Sequence, residues 1–202
     1  MQILSKACGS YQTNCYVLKT DNGEIIIDPG VNAYEWLLGV CKNPIAVLNT
    51  HGHFDHVWDN EKVQKGFSIP LFTPKDDAFL LSNDIFGIGV PVSTPDTVVE
   101  PDTTVLVGGM GITFLHYPGH TPGCSAIVAG DVMFSGDFIF RGSIGRVDFP
   151  YSEPQDMIKS LKKFLALDRE LKIYPGHGGA TDTKTEKNSA AKWVEMLIET
   201  SD

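Results

Sequence analysis

Cysteine is scarce in this sequence, and the few cysteines present do not form the pattern of a disulfide scaffold. The chain has four of them, Cys8, Cys15, Cys41 and Cys124, with no C-x-x-C spacing. Disulfide-dependent domains are small and rich in cysteine because they cannot build a large hydrophobic core. We therefore expect four reduced thiols here, most of them buried.

Basic residues and long apolar segments are scarce as well. Lys and Arg number 16 against 25 Asp and Glu, which gives a formal charge of −9. Nucleic acids and anionic membrane surfaces attract clusters of Lys and Arg, so neither is expected as a partner. The apolar runs are far shorter than the roughly 20 residues that a bilayer span needs. The first residues also lack the basic and apolar segments of an export signal, which predicts a cytoplasmic location.

The composition predicts one globular α/β domain over residues 1–202. Hydrophobic residues make up 42% of the chain and charged residues 20%, enough to bury a sizeable core. Periodicity predicts strands over 3–8, 15–19, 24–28, 45–49, 69–73, 104–107, 112–117, 125–129, 132–135 and 171–174. It predicts helices over 34–41 and 54–65, after Pro74, after Pro154 and at the end, where Thr183 and Glu186 are spaced as a capping box. Segment 85–97 has no clear period and is predicted to be a loop. Two β-rich stretches, each followed by an α/β stretch, predict two sheets with helices outside them.

Histidines are concentrated in the segment T-H-G-H-F-D-H over 50–56, between a buried strand and a helix. Residues two apart in extended chain point to the same side, so His51 and His53 can converge on one metal ion. Asp55 and His56 fall in the first helical turn and can face a second ion. A helix N-terminus disfavours an imidazolium, so we expect His56 in the neutral form that ligates metal. This one corner can therefore serve two metals.

Three later residues fit the same site. They are His120 in Y-P-G-H-T-P-G, Asp137 in F-S-G-D and His177 in Y-P-G-H-G. Each follows a predicted strand and has glycine neighbours, which let the backbone come close to a ligand. The sixth histidine, His116, lies inside a predicted strand and is interpreted as structural.

With these motifs, the whole chain resembles a metallo-β-lactamase-fold hydrolase of the glyoxalase II-like group. The resemblance implies a four-layer αβ/βα sandwich with the metals at one edge, between the sheets. It implies one metal held by His51, His53 and His120, another held by Asp55, His56 and His177, and a bridge between them from Asp137. It also implies that Asp28, in I-D-P-G, supports the ligand loop without binding metal. The other interpretation of Asp28 is a simple turn-forming residue before Pro29.

Two departures from relatives in this superfamily narrow the expected function. Antibiotic-hydrolysing relatives carry Cys, or lack a bridging carboxylate, at the position of Asp137, so we do not expect β-lactam hydrolysis. Authentic glyoxalase II enzymes also carry a C-terminal helical domain that helps to bind glutathione. Only about 25 residues follow His177 here, so we do not expect that domain.

The segment R-G-S-I-G-R-V-D-F over 141–149 supplies the two arginines nearest the expected site. It resembles the G-R-x-D-F signature of small glyoxalase II-like enzymes and of persulfide dioxygenases. Two interpretations of Arg146 stay open, since it can bind a substrate carboxylate or pair with Asp148. The prediction that follows from the first is a small acyl thioester or ester with an anionic end, held by Arg146 and covered by the 85–97 loop.

The chemistry expected of this residue set is hydrolysis of an acyl bond, most plausibly that of a thioester of the S-acylglutathione type. Two divalent cations lower the pKa of a shared water, and Asp55 orients that water. A thiol leaves as thiolate without a dedicated general acid. Nitrogen and oxygen ligands suit zinc, our first expectation, and also iron or manganese. The alternative is a persulfide dioxygenase with one iron on His51, His120 and Asp137. The oligomeric state is left open.

Overall fold

Two six-stranded sheets, packed face to face, form the centre of the molecule. The computed structural model describes residues 2–200. The first sheet has the spatial order β1 (Gln2–Cys8), β2 (Thr13–Thr20), β3 (Gly23–Ile27), β4 (Pro44–Leu48), β5 (Leu71–Pro74) and β6 (Thr97–Val99). The second sheet contains β7 (Thr103–Val107), β8 (Met110–His116), β9 (Ser125–Ala129), β10 (Val132–Gly136), β13 (Lys172–Pro175) and β14 (Thr181–Asp182), in the spatial order β14-β13-β10-β9-β8-β7. A separate hairpin is formed by β11 (Ile139–Phe140) and β12 (Ser143–Ile144).

Helices cover the outer face of each sheet. They are α1 (Ala33–Val40), α2 (Phe54–Val57), α3 (Asn60–Phe67), a 3-10 helix (Lys75–Leu81), α4 (Pro154–Leu165) and α5 (Thr183–Glu199). Among the described residues, no helix is both long and apolar enough to cross a membrane. All four cysteines are free thiols, and three of them are buried.

The alternation of side chains along the central strands explains why the sheets bury both faces. In β3, Ile25 and Ile27 pack into the core between the two sheets, whereas Ile26 packs against Leu37 and Val63 of the helices outside. Successive strand residues point to opposite faces, so a strand covered on both sides is apolar throughout. Burying one such side chain contributes about 1.5–3 kcal/mol. The same alternation in the second sheet places side chains in a further hydrophobic core, which lies between that sheet and the helices α4 and α5. The predicted four-layer α/β sandwich is therefore confirmed.

The helix predicted over 54–65 is wrong as one element, because the loop after β3 interrupts it. The backbone N–H of Asp59 donates to Pro29 O at 3.0 Å rather than to a carbonyl of its own helix. Gly30 packs so closely on Asp55 that a Cβ at this position would lie 2.2 Å from the Asp55 carbonyl oxygen. Because Pro29 O accepts the N–H of Asp59, the i to i−4 hydrogen-bond pattern of the helix is interrupted at this point. The helix α2 therefore ends at Val57.

The capping box predicted at Thr183 and Glu186 is also wrong. The N-cap of α5 is Asp182, whose side chain accepts from Thr185 N at 2.8 Å. Glu186 instead accepts from Gly142 N and from Thr181 Oγ1. Segment 82–96, between the 3-10 helix and β6, has no regular element, as the sequence predicts for most of it. The strands β6, β11, β12 and β14 have only two or three residues each, too few to show a period.

One edge of the sandwich collects the loops that follow β3, β4, β8, β10 and β13. Because β3 and β4 are parallel, as are β10 and β13, their carboxyl ends meet at the same edge of each sheet. Backbone hydrogen bonds join the two sheets there, from Ser125 N to Thr50 O at 2.9 Å and from Asn14 N to Gly176 O at 2.7 Å. The sequence motifs with histidine and aspartate lie in these loops.

Candidate metal centre

The loop after β4 brings its histidines to the site as the local sequence predicts. His53 is extended, with φ −69 and ψ 145, and it precedes the first residue of α2. His51, His53 and His56 are all buried. Asp55 lies in the first turn of α2, where the helix N-terminus favours a carboxylate.

A first group of ligand atoms is formed by His51, His53 and His120, all within 4.8 Å of one another. His53 Nδ1 lies 2.8 Å from His120 Nε2. The three rings meet at centroid distances of 4.5 to 5.0 Å, edge to face. Three imidazoles with converging nitrogens match the ligand chemistry of zinc, iron or copper ions.

A second group is formed by Asp55, His56 and His177, again within 4.8 Å of one another. Asp55 Oδ2 lies 3.6 Å from His56 Nε2 and 3.4 Å from His177 Nε2. The group therefore offers two nitrogens and a carboxylate oxygen from two parts of the chain, since Asp55 and His56 are neighbours in α2 and His177 follows β13.

Asp137 lies between the two groups. Its Oδ1 is 3.2 Å from His56 Nε2, while its Oδ2 is 3.5 Å from His120 Nε2 and 3.3 Å from His177 Nε2. The backbone of Gly176 passes so close that a Cβ there would lie 2.1 Å from Asp137 Oδ1. Only glycine leaves room for the carboxylate between the two groups, which explains the glycine before His177.

Oxygen acceptors on the far side of four imidazoles set which nitrogen faces the site. His56 Nδ1 donates to Asp28 Oδ2 at 2.9 Å, and His177 Nδ1 to Tyr11 O at 3.1 Å. His120 Nδ1 donates to Arg146 O at 2.8 Å. His51 Nδ1 lies 3.1 Å from the hydroxyl oxygen of the residue before it, Thr50. Such contacts hold the ring in place and, once the ring is neutral, keep its proton on Nδ1, so that Nε2 is the nitrogen that can bind a metal.

Asp28 is the acceptor that organises this outer layer. Besides His56, it accepts from Thr50 N at 2.8 Å and from Thr50 Oγ1 at 2.6 Å. A carboxylate oxygen of Asp28 also lies within 4.8 Å of ring nitrogens of His51 and His56, so these three residues could in principle form a metal site. However, it meets His56 at Nδ1, the nitrogen that faces away from the two groups, so it holds ligands rather than joining them.

Four buried atoms at the centre have no hydrogen-bond partner among the described residues. They are the Nε2 atoms of His51, His53 and His56 and the Oδ1 atom of Asp137. A buried polar group without a partner costs about 1–3 kcal/mol. Unpartnered buried atoms on three of the candidate histidines and on Asp137 fit a site built for metal ions, because an imidazole nitrogen or a carboxylate oxygen can bind a cation in place of a proton.

The two groups hold protons differently. Burial is the largest effect on the first group, and it lowers the pKa of His51 well below its usual value and that of His53 to about 3. In the second group burial also lowers the pKa of His56, but the carboxylates of Asp137, Asp55 and Asp28 outweigh it and hold that pKa well above its usual value. The expectation that the helix N-terminus keeps His56 neutral is therefore wrong without an ion, because three carboxylates surround the ring. His177 behaves alike, with its pKa raised to about 9 by Asp137 and Asp55 against burial.

Arg146 lies at the mouth of the cleft in front of these groups, and the structure pairs it with Asp148. Arg146 Nε and Nη2 donate to the two oxygens of Asp148 at 2.8 and 2.7 Å. This arrangement is the second of the two interpretations drawn from the sequence. The carboxylate-binding role of Arg146 stays a prediction.

Sequence reasoning missed two residues that position the ligands. Thr13 Oγ1 donates to Asp55 Oδ2 at 2.6 Å across 42 residues of sequence, so no local pattern announces it. Asp77, fully buried, accepts from Gly52 N at 2.8 Å, Thr121 Oγ1 at 2.6 Å and Gly123 N at 2.5 Å. It thereby ties the loop of His51 and His53 to the loop of His120. In the sequence, Asp77 is marked only by its place in the helix predicted after Pro74.

His116 lies outside both groups of ligand atoms. Its Nε2 pairs with Pro122 O at 2.8 Å, and the ring is half-buried on the second sheet.

Comparisons with known proteins identify the family of this chain. The model of the metallo-beta-lactamase superfamily matches residues 8–177. The hydroxyacylglutathione hydrolase GloC of Haemophilus influenzae is 32% identical over 195 residues, which cover 89% of this chain and 92% of that protein. The structure of the BLEG-1 B3 metallo-beta-lactamase aligns with a TM-score of 0.84 at 30% identity, covering 93% of this chain and 97% of that one. TTHA1623 in a di-iron-bound form aligns with a TM-score of 0.78 at 32% identity, covering 92% and 98%.

Proposed function

The chain belongs to the metallo-beta-lactamase superfamily, and from this premise we propose that it hydrolyses an acyl bond with two divalent metal ions. The proposed substrate is a small-molecule thioester of the S-acylglutathione type, and the proposed metal is zinc. The similarity to GloC, named a hydroxyacylglutathione hydrolase, supports this substrate class. The di-iron form of TTHA1623 supports a pair of ions and keeps iron as an alternative.

The observation that carries the proposal is the convergence of seven buried or half-buried ligand residues, four of which have a buried atom without a hydrogen-bond partner among the described residues. One ion would be held by His51, His53 and His120, the other by Asp55, His56 and His177, with Asp137 between them. When bound, the ions would activate a water molecule and stabilise the negative charge that develops on the carbonyl oxygen. A single ion needs only three or four of these ligands.

The protein's own side chains would orient the reaction. Asp55 lines the cleft, and the hydroxyl of Thr13 holds one of its oxygens at 2.6 Å. The carboxylate is thus fixed beside the substrate and can accept a hydrogen bond from the attacking water. A thiol has a pKa of about 8.5 and leaves as thiolate. This leaving group requires no proton donor, which suits a cleft whose acidic and histidine side chains are all used as ligands.

The alternative, a dioxygenase with one iron on His51, His120 and Asp137, leaves His56 and His177 without a role. In the structure His56 Nε2 has no hydrogen-bond partner, and His177 lies 3.3 Å from Asp137. The two functions therefore differ in how many ions the chain binds and in whether these two histidines matter.

The test is metal analysis of protein purified without added metal, followed by thiol release from S-lactoylglutathione. We expect two ions per chain, and we expect His56→Ala and His177→Ala to lose one ion and most activity. His116→Gln, outside both groups, serves as the matched control and should keep both. A single iron per chain, with oxygen uptake on glutathione persulfide that survives His56→Ala, would overturn the proposal. A β-lactam should be included as a further substrate, given the similarity to BLEG-1.

A further inference from the structure

A cleft of about 280 Å³ opens directly in front of the candidate ligands, and five Tyr and Phe rings line it. The rings belong to Tyr11, Phe54, Phe86, Phe140 and Phe149. Neighbouring rings touch edge to face, with centroid distances of 5.1 Å for Tyr11 and Phe54 and 5.3 Å for Phe54 and Phe86. With Phe149, which lies next to Phe86, these rings form one continuous apolar side of the cleft.

Phe86 and Phe149 lie against the ligands themselves. Their ring centroids are 5.5 and 5.6 Å from that of His53, and 5.6 Å from each other. Phe149 also lies 6.0 Å from the ring of His120. When the carbonyl of a substrate lies at the first group of ligand atoms, a substituent that extends from it would therefore lie along these two rings.

A built turn presents Phe86 to the cleft. Asp84 Oδ2 accepts from Gly89 N at 2.6 Å, and Gly87 N donates to Asp84 O at 3.2 Å. Gly87 and Gly89 both have positive φ, which closes the turn. The ring of Phe86 is half-buried, whereas Ile88 on the same turn is 47% exposed.

The arginine at the cleft already has a carboxylate partner. Among the described residues that line it, Arg146 is the only Lys or Arg. Both oxygens of Asp148 accept from its guanidinium, and its Cζ lies 4.3 Å from the centre of the Phe149 ring. A substrate carboxylate would have to displace Asp148 to reach a bidentate position, and exchanging one carboxylate for another brings little net gain.

We propose that this cleft selects a thioester whose acyl group is uncharged and apolar, with Phe86 and Phe149 as the residues that determine this specificity. The inference rests on the proposed thioester hydrolysis and makes the acyl group its specific part. The acyl group proposed here is hydrophobic, whereas Arg146 in the sequence led to the expectation of a substrate with an anionic end.

The test compares three glutathione thioesters that differ only in the acyl group: D-lactoyl, succinyl and phenylacetyl. Each kcat/KM of the metal-loaded protein is divided by the rate of alkaline hydrolysis of the same thioester, which removes differences in intrinsic reactivity. We expect phenylacetyl to exceed both others by about tenfold or more, the usual scale for filling an apolar pocket. Equal values, or a preference for lactoyl or succinyl, would overturn the inference.

Two variants assign the preference to the rings. Phe86→Ala and Phe149→Ala should each lower the phenylacetyl value by about tenfold and the lactoyl value by less than about threefold. Phe67→Ala is the matched control, because Phe67 is also half-buried but packs against Tyr34 at the outer helices. A preference that persists in both cleft variants, or is lost equally in Phe67→Ala, would remove the assignment to Phe86 and Phe149.

A binding measurement separates this inference from the proposed function. Calorimetric titration of the metal-loaded protein would use two unreactive thioethers of glutathione, one with a phenylethyl and one with a carboxyethyl group. We expect the phenylethyl compound to bind about tenfold more tightly. If no thioester is hydrolysed, the proposed function fails while this ratio still decides the inference. If thioesters are hydrolysed but the carboxyethyl compound binds as tightly or more tightly, the inference alone fails.

Discussion

Replacing Asp28 by Asn should weaken metal binding without touching a metal ligand. Asp28 is 2% exposed and accepts three hydrogen bonds, two of them on Oδ2 from Thr50 Oγ1 and His56 Nδ1 and one on Oδ1 from Thr50 N. An Asn side chain has one acceptor oxygen. Whichever way the amide is turned, its NH2 group then faces at least one donor.

The size of the effect follows from these contacts. A buried donor left unpaired costs about 1–3 kcal/mol, and removing an outer partner of a metal-binding histidine lowers affinity by about 10–100-fold. With the NH2 group at the position of Oδ2, His56 also loses the acceptor that keeps its proton on Nδ1, so its Nε2 is less available. We therefore expect about a 10–100-fold loss for the ion at Asp55, His56 and His177, and a smaller loss for the other ion.

Competition with a chromophoric chelator at fixed pH would measure both affinities, with thermal unfolding as a check of the fold. Glu24→Gln is the matched control, because Glu24 is a buried carboxylate that accepts from Asn43 N at 2.6 Å at the opposite end of the same strand. Wild-type affinity for both ions in folded Asp28→Asn would refute the reasoning. An equal loss in Glu24→Gln would show that the effect is general loosening of β3.

Three further results are expected. Binding of the second ion should release protons and should become tighter as pH rises from about 6.5 toward 9, because the raised pKa values of His56 and His177 keep these rings protonated in that range. Calorimetry in buffers of different ionisation enthalpy would count the protons, and binding without proton release would contradict the assignment. Asp137→Ala should abolish activity while His116→Gln keeps it within about threefold, and equal damage in a folded, metal-loaded His116→Gln would contradict the structural role given to that ring. Asp77→Asn should weaken binding of the ion at the first group by about tenfold, since the amide NH2 group would face either Gly123 N or the pair Gly52 N and Thr121 Oγ1; metal affinity measured by chelator competition, unchanged in the folded variant, would show that the loops hold their geometry alone.

The composition of the candidate centre could be predicted from the sequence because its signals are local. His51, His53, Asp55 and His56 lie within six consecutive residues, where strand and helix geometry already decide which way side chains point. The later histidine and aspartate residues follow strands and carry glycine neighbours. The layered fold could be predicted because its signals are local too: strands such as β3 are apolar along their length, and the helices are amphipathic.

The tertiary structure alone decided which partners hold and tune those residues. Thr13 meets Asp55 across 42 positions, and Asp77 meets Thr121 across 44, distances at which no sequence period exists. The raised pKa of His56 depends on Asp55 beside it in α2 and on Asp28 and Asp137 from distant loops, and these carboxylates outweigh both burial and the helix N-terminus. The cleft wall is likewise formed by separate segments. Packing brings Phe86 and Phe149 together although they are too far apart in the sequence for any local pattern to relate them.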